Sequence, residues 1–416
     1  MLEQAQPWYC DVIILGAGYG GLMAALHVGA TSNTGRRIAL VNSTDEFIER
    51  IRLQESIAEP VHSRIPSIET LIAGTGIDFV CGKVTALDAD ARSVTIATPS
   101  TSREVRFDRA IYALGGLADL EMIPGVKEFA YRLDPGDGPL SVAGLRRALH
   151  LRGGAGCRVV VIGGNETAIE AAGEIKTRWP TVDVVMMARG RCGEFKGPRV
   201  EFALRAQLER LGVRIMDDTT VVEVRADAVV VAGDELLPCD ICVWCGGLRA
   251  SPIAARAGLA TDSQGRIFTD PMLRSISHRH IFAVGDAAHP LAPTGAPYRL
   301  SAFAALATGA YVAEVVNDDR ADQHRPFSFS TFGQGVAVGR YGVGFDAFPN
   351  DRQRFFLIRG RAGHHTRNFF VWLVANLLKL ERKFPGLFSF VWFGQRRVTW
   401  QQANCAMQNV RQGQPV

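Results

Sequence analysis

The strongest constraint on this chain sits close to its start. Residues 11–15, DVIIL, form a short apolar and β-branched run, GAGYGG follows at once, and residues 22–28, LMAALHV, carry the apolar spacing of a helix. A strand, a glycine turn and a helix in that order make a specific physical demand. Gly16 forms the sharp turn, Gly18 lets the backbone approach a pyrophosphate, and Gly21 lets the helix pack on the strand, with Tyr19 and Gly20 completing the loop. Free N–H groups and the dipole at the helix N-terminus then favour the phosphate charge. The unit predicts a dinucleotide site and an α/β fold built on a parallel sheet. A second apolar strand, 38–41, ends at Asn42, where an acidic residue commonly accepts a hydrogen bond from the adenosine ribose. An asparagine oxygen can accept the same bond, whereas the competing reading makes Asn42 a strand-end turn residue.

The pattern recurs. Residues 158–162, RVVVI, read as a strand, GGNETA as the turn and IEAAGEI as the helix. This copy opens with Gly163 and Gly164, but Asn165 stands at the second glycine position and Ala168, an accepted variant, at the third. The Asn165 side chain is expected to intrude where a pyrophosphate would lie, and Glu166 adds negative charge to the same turn. The next strand, 182–187, ends in ARGR rather than in an acid. Arg189 and Arg191 there suit a 2′-phosphate, which favours NADPH over NADH; the alternative is a solvated basic turn.

Length and composition agree with two nucleotide units in one chain. The 416 residues leave room for two or three domains, and 47% hydrophobic with 21% charged residues describes an ordinary globular protein. A net charge of +4, spread along the sequence, gives no concentrated basic patch and argues against a nucleic-acid partner. No secretory start and no run of about 18 apolar residues is visible, so a cytoplasmic location is expected. Eight irregularly spaced cysteines fit reduced thiols. Cys239, Cys242 and Cys245 form a CxxCxxC run, but no fourth ligand lies near, and strand alternation should send Cys242 to the face opposite the other two. No metal is expected.

Three further segments give the whole a family likeness. IYALGG at 111–116 contains Ala113 and Gly115, VWCGGL at 243–248 contains Gly246, and IFAVGDAA at 281–288 contains Gly285 and Asp286. In their order, across about residues 11–316, these segments and the two glycine turns resemble the two-dinucleotide-binding-domain flavoproteins of the pyridine nucleotide-disulfide oxidoreductase fold. The redox CxxxxC of the dithiol members is missing from STDEFIERIRLQESIAEP, so no thiol can relay electrons. What remains is similar to the type II NADH dehydrogenase branch. That resemblance implies bound FAD and a nicotinamide cofactor, NADPH or NADH. It implies Arg52 near the cofactor, backbone around Val84 against adenine, and Asp286 on the ribityl or phosphate portion. It also implies that the helix opening at Ser301 and Ala302 points at the flavin. Glu170 matches a glutamate facing flavin and nicotinamide, which positions the cofactor or shuttles a proton; an ordinary helix-start acid is the plainer reading. The implied architecture is an FAD domain over 1–135 and 250–320, an inserted NAD(P)H domain over 136–249, and an α+β extension over 321–416.

That extension changes character. FSFSTFGQGVAVGRYGVGF alternates like one or two hairpins, and residues 369–380, FFVWLVANLLKL, make an apolar helix too short to span a bilayer. Aromatics interleave with Arg367, Lys379, Arg382, Lys383, Arg396 and Arg397, so residues 367–397 read as a membrane-surface contact, a homodimer or core interface, or a wall of the substrate site. His364 and His365 are expected in a solvated loop. The resemblance implies electron transfer from NAD(P)H through flavin to a quinone or quinone-like acceptor as the expected function. The alternative is a repurposed flavin-dependent oxidase, monooxygenase or dehydrogenase acting on an organic, natural-product-like substrate; a non-enzymatic flavin sensor is a third class.

Overall fold

The computed structural model describes residues 8–388 apart from 32–34, 292–297, 299, 319–323, 330–332 and 348–352. The first glycine unit gives β1 (Trp8–Leu15), α1 (Tyr19–Thr31) and β2 (Ile38–Asn42). After α2 (Ile68–Ile72) come β3 (Ile77–Cys81), β4 (Lys83–Asp88), β5 (Ser93–Ala97) and β6 (Ser102–Tyr112). β3, β2, β1 and β6 run parallel in that order, and β5 and β4 extend the sheet as an antiparallel meander. Val12 to Leu15 are all buried, because both faces of the parallel part are covered.

The chain leaves this sheet through β7 (Gly116–Ala118) and builds a second unit. Its elements are α3 (Val126–Phe129), β8 (Ala130–Arg132), α4 (Val142–Arg152), β9 (Arg158–Ile162), α5 (Glu166–Arg178), β10 (Asp183–Met187), α6 (Pro198–Leu211) and β11 (Arg214–Met216). An antiparallel layer of β12 (Val221–Val224), β13 (Ala228–Val231) and β14 (Glu235–Pro238) leads to β15 (Ile241–Trp244). The parallel order is β11-β10-β9-β15-β8. Since β8 belongs to this sheet, the second unit starts upstream of residue 136. The return strand β16 (Leu248–Ala250) pairs antiparallel with β7, so the two crossings hydrogen-bond side by side at the places marked by IYALGG and VWCGGL.

Next come α7 (Ile253–Arg256), β17 (Ile267–Phe268), β18 (Ile281–Ala283), β19 (Ala288–His289) and α8 (Ala302–Asn317). β18 slots in parallel beside residues 110–112 of β6 and completes the first sheet. α8 crosses α1 in backbone contact: a Cβ on Gly309 would stand 2.2 Å from the Gly20 carbonyl oxygen. The extension consists of antiparallel β20 (Gln334–Val338), β21 (Tyr341–Ala347) and β22 (Gln353–Arg359), then α9 (Gly360–Lys383).

The extension corrects two expectations. α9 begins nine residues before the apolar run, so His364 and His365 are helical; His364 is half-buried, and loss of solvent pushes its pKa down. Its glycines look like breakers but serve packing, since a Cβ on Gly363 would lie 2.2 Å from the Gly342 carbonyl oxygen and one on Gly335 2.5 Å from the Arg367 backbone. Arg367, for which a membrane surface, a core interface and a substrate wall were all open, is 4% exposed and lines the cavity between the two glycine turns. Arg396 and Arg397 lie outside the described residues. Among the described residues no helix is long and apolar enough to cross a membrane. The cysteine run also departs from simple alternation: Cys239 and Cys242 share one core layer and Cys245 lies in another, because Cys239 precedes the strand proper. All three are free and buried, burial raises their pKa values, and no metal-holding cluster occurs among the described residues.

Candidate active site

The first glycine turn is shaped by two hard contacts. Gly16 has φ +100°, open to glycine alone at little cost, and a Cβ there would sit 2.4 Å from the Ala113 carbonyl oxygen. A Cβ on Gly21 would come within 1.9 Å of the Gly16 carbonyl oxygen. Gly18 and Gly115, by contrast, face open space, and a Cβ on Gly20 would meet the Ala305 carbonyl of α8 at 3.0 Å. Asn42 closes this loop: its Oδ1 accepts from the Ala17 N–H at 3.0 Å and its Nδ2 donates to the Thr44 carbonyl at 2.8 Å. The turn-residue role of Asn42 is thus present, and one lone pair of Oδ1 is left for a ribose. Val84 is buried at the start of β4, where the Gly82 N–H bonds the Asn42 carbonyl at 2.8 Å and brings that strand beside the end of β2.

In the second turn Asn165 does not intrude. It caps α5, with Oδ1 accepting from the Ala168 N–H at 3.0 Å and Nδ2 donating to the Cys245 carbonyl at 2.7 Å, so its side chain folds back onto the helix and β15. Gly163 approaches the same strand end, where a Cβ would meet the Cys245 carbonyl oxygen at 2.8 Å, and Gly164 lies against Ala188. Gly246 passes under the Trp244 ring, 2.3 Å from a would-be Cβ. Glu166 forms an ion pair with Lys196, whose side chain is fully buried. Arg189 stands exposed just past β10, while Arg191 is committed to Glu201 at 2.8 Å.

Between the two turns lies a cavity of about 350 Å³. Tyr19 enters it from the first turn, Glu166, Thr167 and Glu170 from the second, Asp286 from the loop after β18, and Ser301 and Ala302 from the start of α8. Ser301 is the N-cap of α8, its Oγ accepting from the Ala304 N–H at 3.1 Å, and Gly285 is held by a 2.9 Å bond to the Thr308 hydroxyl. No donor among the described residues bonds the Asp286 carboxylate; burial raises its pKa while Arg50 and Arg266 pull it down. The Tyr19 hydroxyl is buried without a partner, and burial pushes its pKa up. An open glycine cradle, an unbonded carboxylate and an orphaned hydroxyl fit a bound FAD.

Glu170 is 8% exposed, and four donors fill its lone pairs. Oε1 accepts from the Ala337 N–H at 2.8 Å and Arg367 Nε at 3.1 Å; Oε2 accepts from Arg367 Nη2 at 2.9 Å and from Gln54. Arg367 also bonds Glu55 and, at 2.9 Å, the Ile51 carbonyl. So saturated a carboxylate holds position and has no lone pair left for a travelling proton. Arg52 misses the cavity, because Glu49, Glu55 and the His62 carbonyl hold it; Arg50, two residues earlier, lines the cavity and bonds the Gly116 carbonyl at 3.1 Å. Sequence reasoning missed Gln54, Lys196, Gln334 and the burial of Arg367. Apart from the ERIRLQ run that holds Gln54, none carries a local motif.

Residues 10–309 match the family described as pyridine nucleotide-disulphide oxidoreductase. The chain belongs to that family. It is 27% identical over 300 residues to a demethylphylloquinone reductase, NdbB, of Synechocystis, covering 69% of this chain and 73% of that one. It is 30% identical over 303 residues to an NADH dehydrogenase-like protein of Mycobacterium tuberculosis, covering 67% and 72%. The sulfide:quinone oxidoreductase of Aquifex aeolicus superposes with a TM-score of 0.74 at 16% identity, over 89% of this chain and 92% of that one. Against two longer solved chains of the same fold, the protein spans 63% and 62% of their length. It is an FAD-dependent oxidoreductase that uses a nicotinamide cofactor.

Proposed function

We propose that the protein passes electrons from NAD(P)H through FAD to a quinone or quinone-like acceptor. The observation that carries this is the shared cavity, into which the first turn, the second turn and α9 all reach. Bound FAD supplies the two-electron acceptor for a nicotinamide hydride and hands the electrons on. The protein places the partners. Gly16, Gly18, Tyr19, Gly20, Gly21, Ala113, Gly115, Gly285 and Asp286 cradle FAD, Asn42 and the backbone near Val84 flank its adenosine, and Ser301 and Ala302 aim a helix dipole at the flavin. Gly163, Gly164, Asn165 and Gly246 shape the nicotinamide turn, Glu170 positions the cofactor, and Arg189 selects a 2′-phosphate. The same assignment divides the chain into an FAD domain, an inserted nicotinamide domain and the extension after residue 320.

Leu300, Phe303, Phe370, Val371 and Val374 give the cavity an apolar wall suited to a lipophilic ring, and among the described residues no cysteine lines it. On the outward face of α9, Phe369, Trp372, Leu380 and Phe384 are exposed beside Lys379 and Lys383, which supports contact with a membrane surface where quinones dissolve. The organic-substrate alternative rested on Asn165 blocking the turn and on the Glu166 charge; the first is folded back and the second is paired. The test is steady-state turnover of FAD-loaded protein with NADH or NADPH and a short-chain quinone. Quinone-dependent nicotinamide oxidation is expected; turnover only with an organic substrate and no nicotinamide would contradict the proposal.

A further inference from the structure

Glu166 is a carboxylate on the first residue of α5, lining the cavity in the turn read here as facing a ligand's pyrophosphate. Left alone, it would repel the two negative charges it is meant to admit. Lys196 lies in the short turn Glu194–Lys196 after β10, and a 3.1 Å bond from the Gly193 N–H to the Gly164 carbonyl ties that turn to the glycine loop. Its side chain is 0% exposed and its ammonium bonds the Glu166 carboxylate and the Gln334 amide oxygen, 5.1 Å from the Phe195 ring centroid and 5.5 Å from that of Phe345. A buried ammonium is costly without a counter-charge. Gln334 opens β20 of the extension and lines the same cavity, so one lysine joins the glycine turn, the β10 loop and the C-terminal sheet.

We infer that Lys196 is a positioning residue for the nicotinamide dinucleotide: it cancels the Glu166 charge at the second turn, and Gln334 holds it there. This rests on the reading that the second turn binds NAD(P)H. The inference explains how a turn lacking its second glycine and carrying an acid still admits a pyrophosphate.

The experiment measures the Kd of NAD+ for oxidised, FAD-loaded protein by calorimetry, at low and high salt. Lys196→Gln keeps a polar group while removing the charge, and is expected to weaken NAD+ at least about tenfold at low salt. Salt screens repulsion, so the gap should narrow as salt rises, which a purely structural defect would not do. Adding Glu166→Gln removes the carboxylate that Lys196 no longer offsets and should restore the Kd to within about threefold of wild type. Should Lys196→Gln lose FAD or fail to fold, the double variant Lys196→Met/Glu166→Gln carries the same test, because replacing both charges leaves none uncompensated, and near-wild-type NAD+ binding is again expected. NAD+ binding by Lys196→Gln equal to wild type would overturn the inference. A loss that ignores both salt and the second substitution, or a double variant of either kind that holds FAD yet binds no NAD+, would do the same. If wild type itself bound no dinucleotide, the nicotinamide reading would fall, and this inference with it.

Discussion

The two glycine turns began from one plan and are stabilised by different means. In the first, backbone meets backbone: Gly16 and Gly21 sit where a single added carbon would collide with a carbonyl. In the second, side chains do the equivalent work: Asn165 caps the helix and grips the Cys245 carbonyl, and Lys196 answers Glu166. Departure from a glycine fingerprint need not mean loss of an ordered turn. A turn can be rigidified by hydrogen bonds and charge pairing instead, at the cost of depending on residues far away in sequence.

Substitutions should separate the two turns, the largest effect first. Gly21→Ala forces a Cβ to within 1.9 Å of a carbonyl oxygen and is expected to abolish FAD retention, read by the absorbance of the purified protein. Full flavin content would break the account of the first turn. Asn165→Ala loses a helix cap worth about 1 kcal/mol and the tie to β15, so NAD+ affinity should fall roughly tenfold with FAD content unchanged. Arg189→Ala is expected to lower preference for NADPH over NADH by about fivefold, the scale of one exposed charge contact, in a comparison of kcat/KM values. The smallest effect concerns Glu174, one turn beyond Glu170, whose pKa is raised to about 7 by burial and by Glu55 and Glu170, against Arg367 and Arg178. With the folded value above the ordinary one, its protonated form favours the fold; that contribution is complete at acid pH and is lost as pH rises through 7. Glu174→Gln should therefore raise Tm by about 2 °C at pH 8 and leave it unchanged at about pH 4, below the ordinary carboxylate value, by calorimetry.

Legibility in the sequence follows the same division. Both glycine turns, the two crossings and the loop containing Asp286 are local in sequence, and a strand–turn–helix pattern exposes them. Arg52 was expected near the cofactor, yet it is Arg50 that lines the cavity, because a two-residue shift inside a short 3-10 turn is set by partners such as Glu49 and Glu55 rather than by pattern. Glu170 was visible as a site residue, but its partner Arg367 lies 197 positions away and reaches it only because Gly335 lets α9 press on β20. Lys196 and Gln334, 138 residues apart, left no shared signal. The polarity of a charged residue speaks for the surface until packing supplies its partner, which is why the sequence left Arg367 open between a membrane surface and a buried wall.

We propose that the second turn, for all its departures, delivers a nicotinamide to the flavin. Anaerobic stopped-flow mixing of the FAD-loaded protein with NADH and, separately, NADPH tests it directly. Rapid loss of the oxidised-flavin absorbance is expected with at least one of them, at a rate that saturates with nicotinamide concentration. Flavin that stays oxidised with both would contradict it.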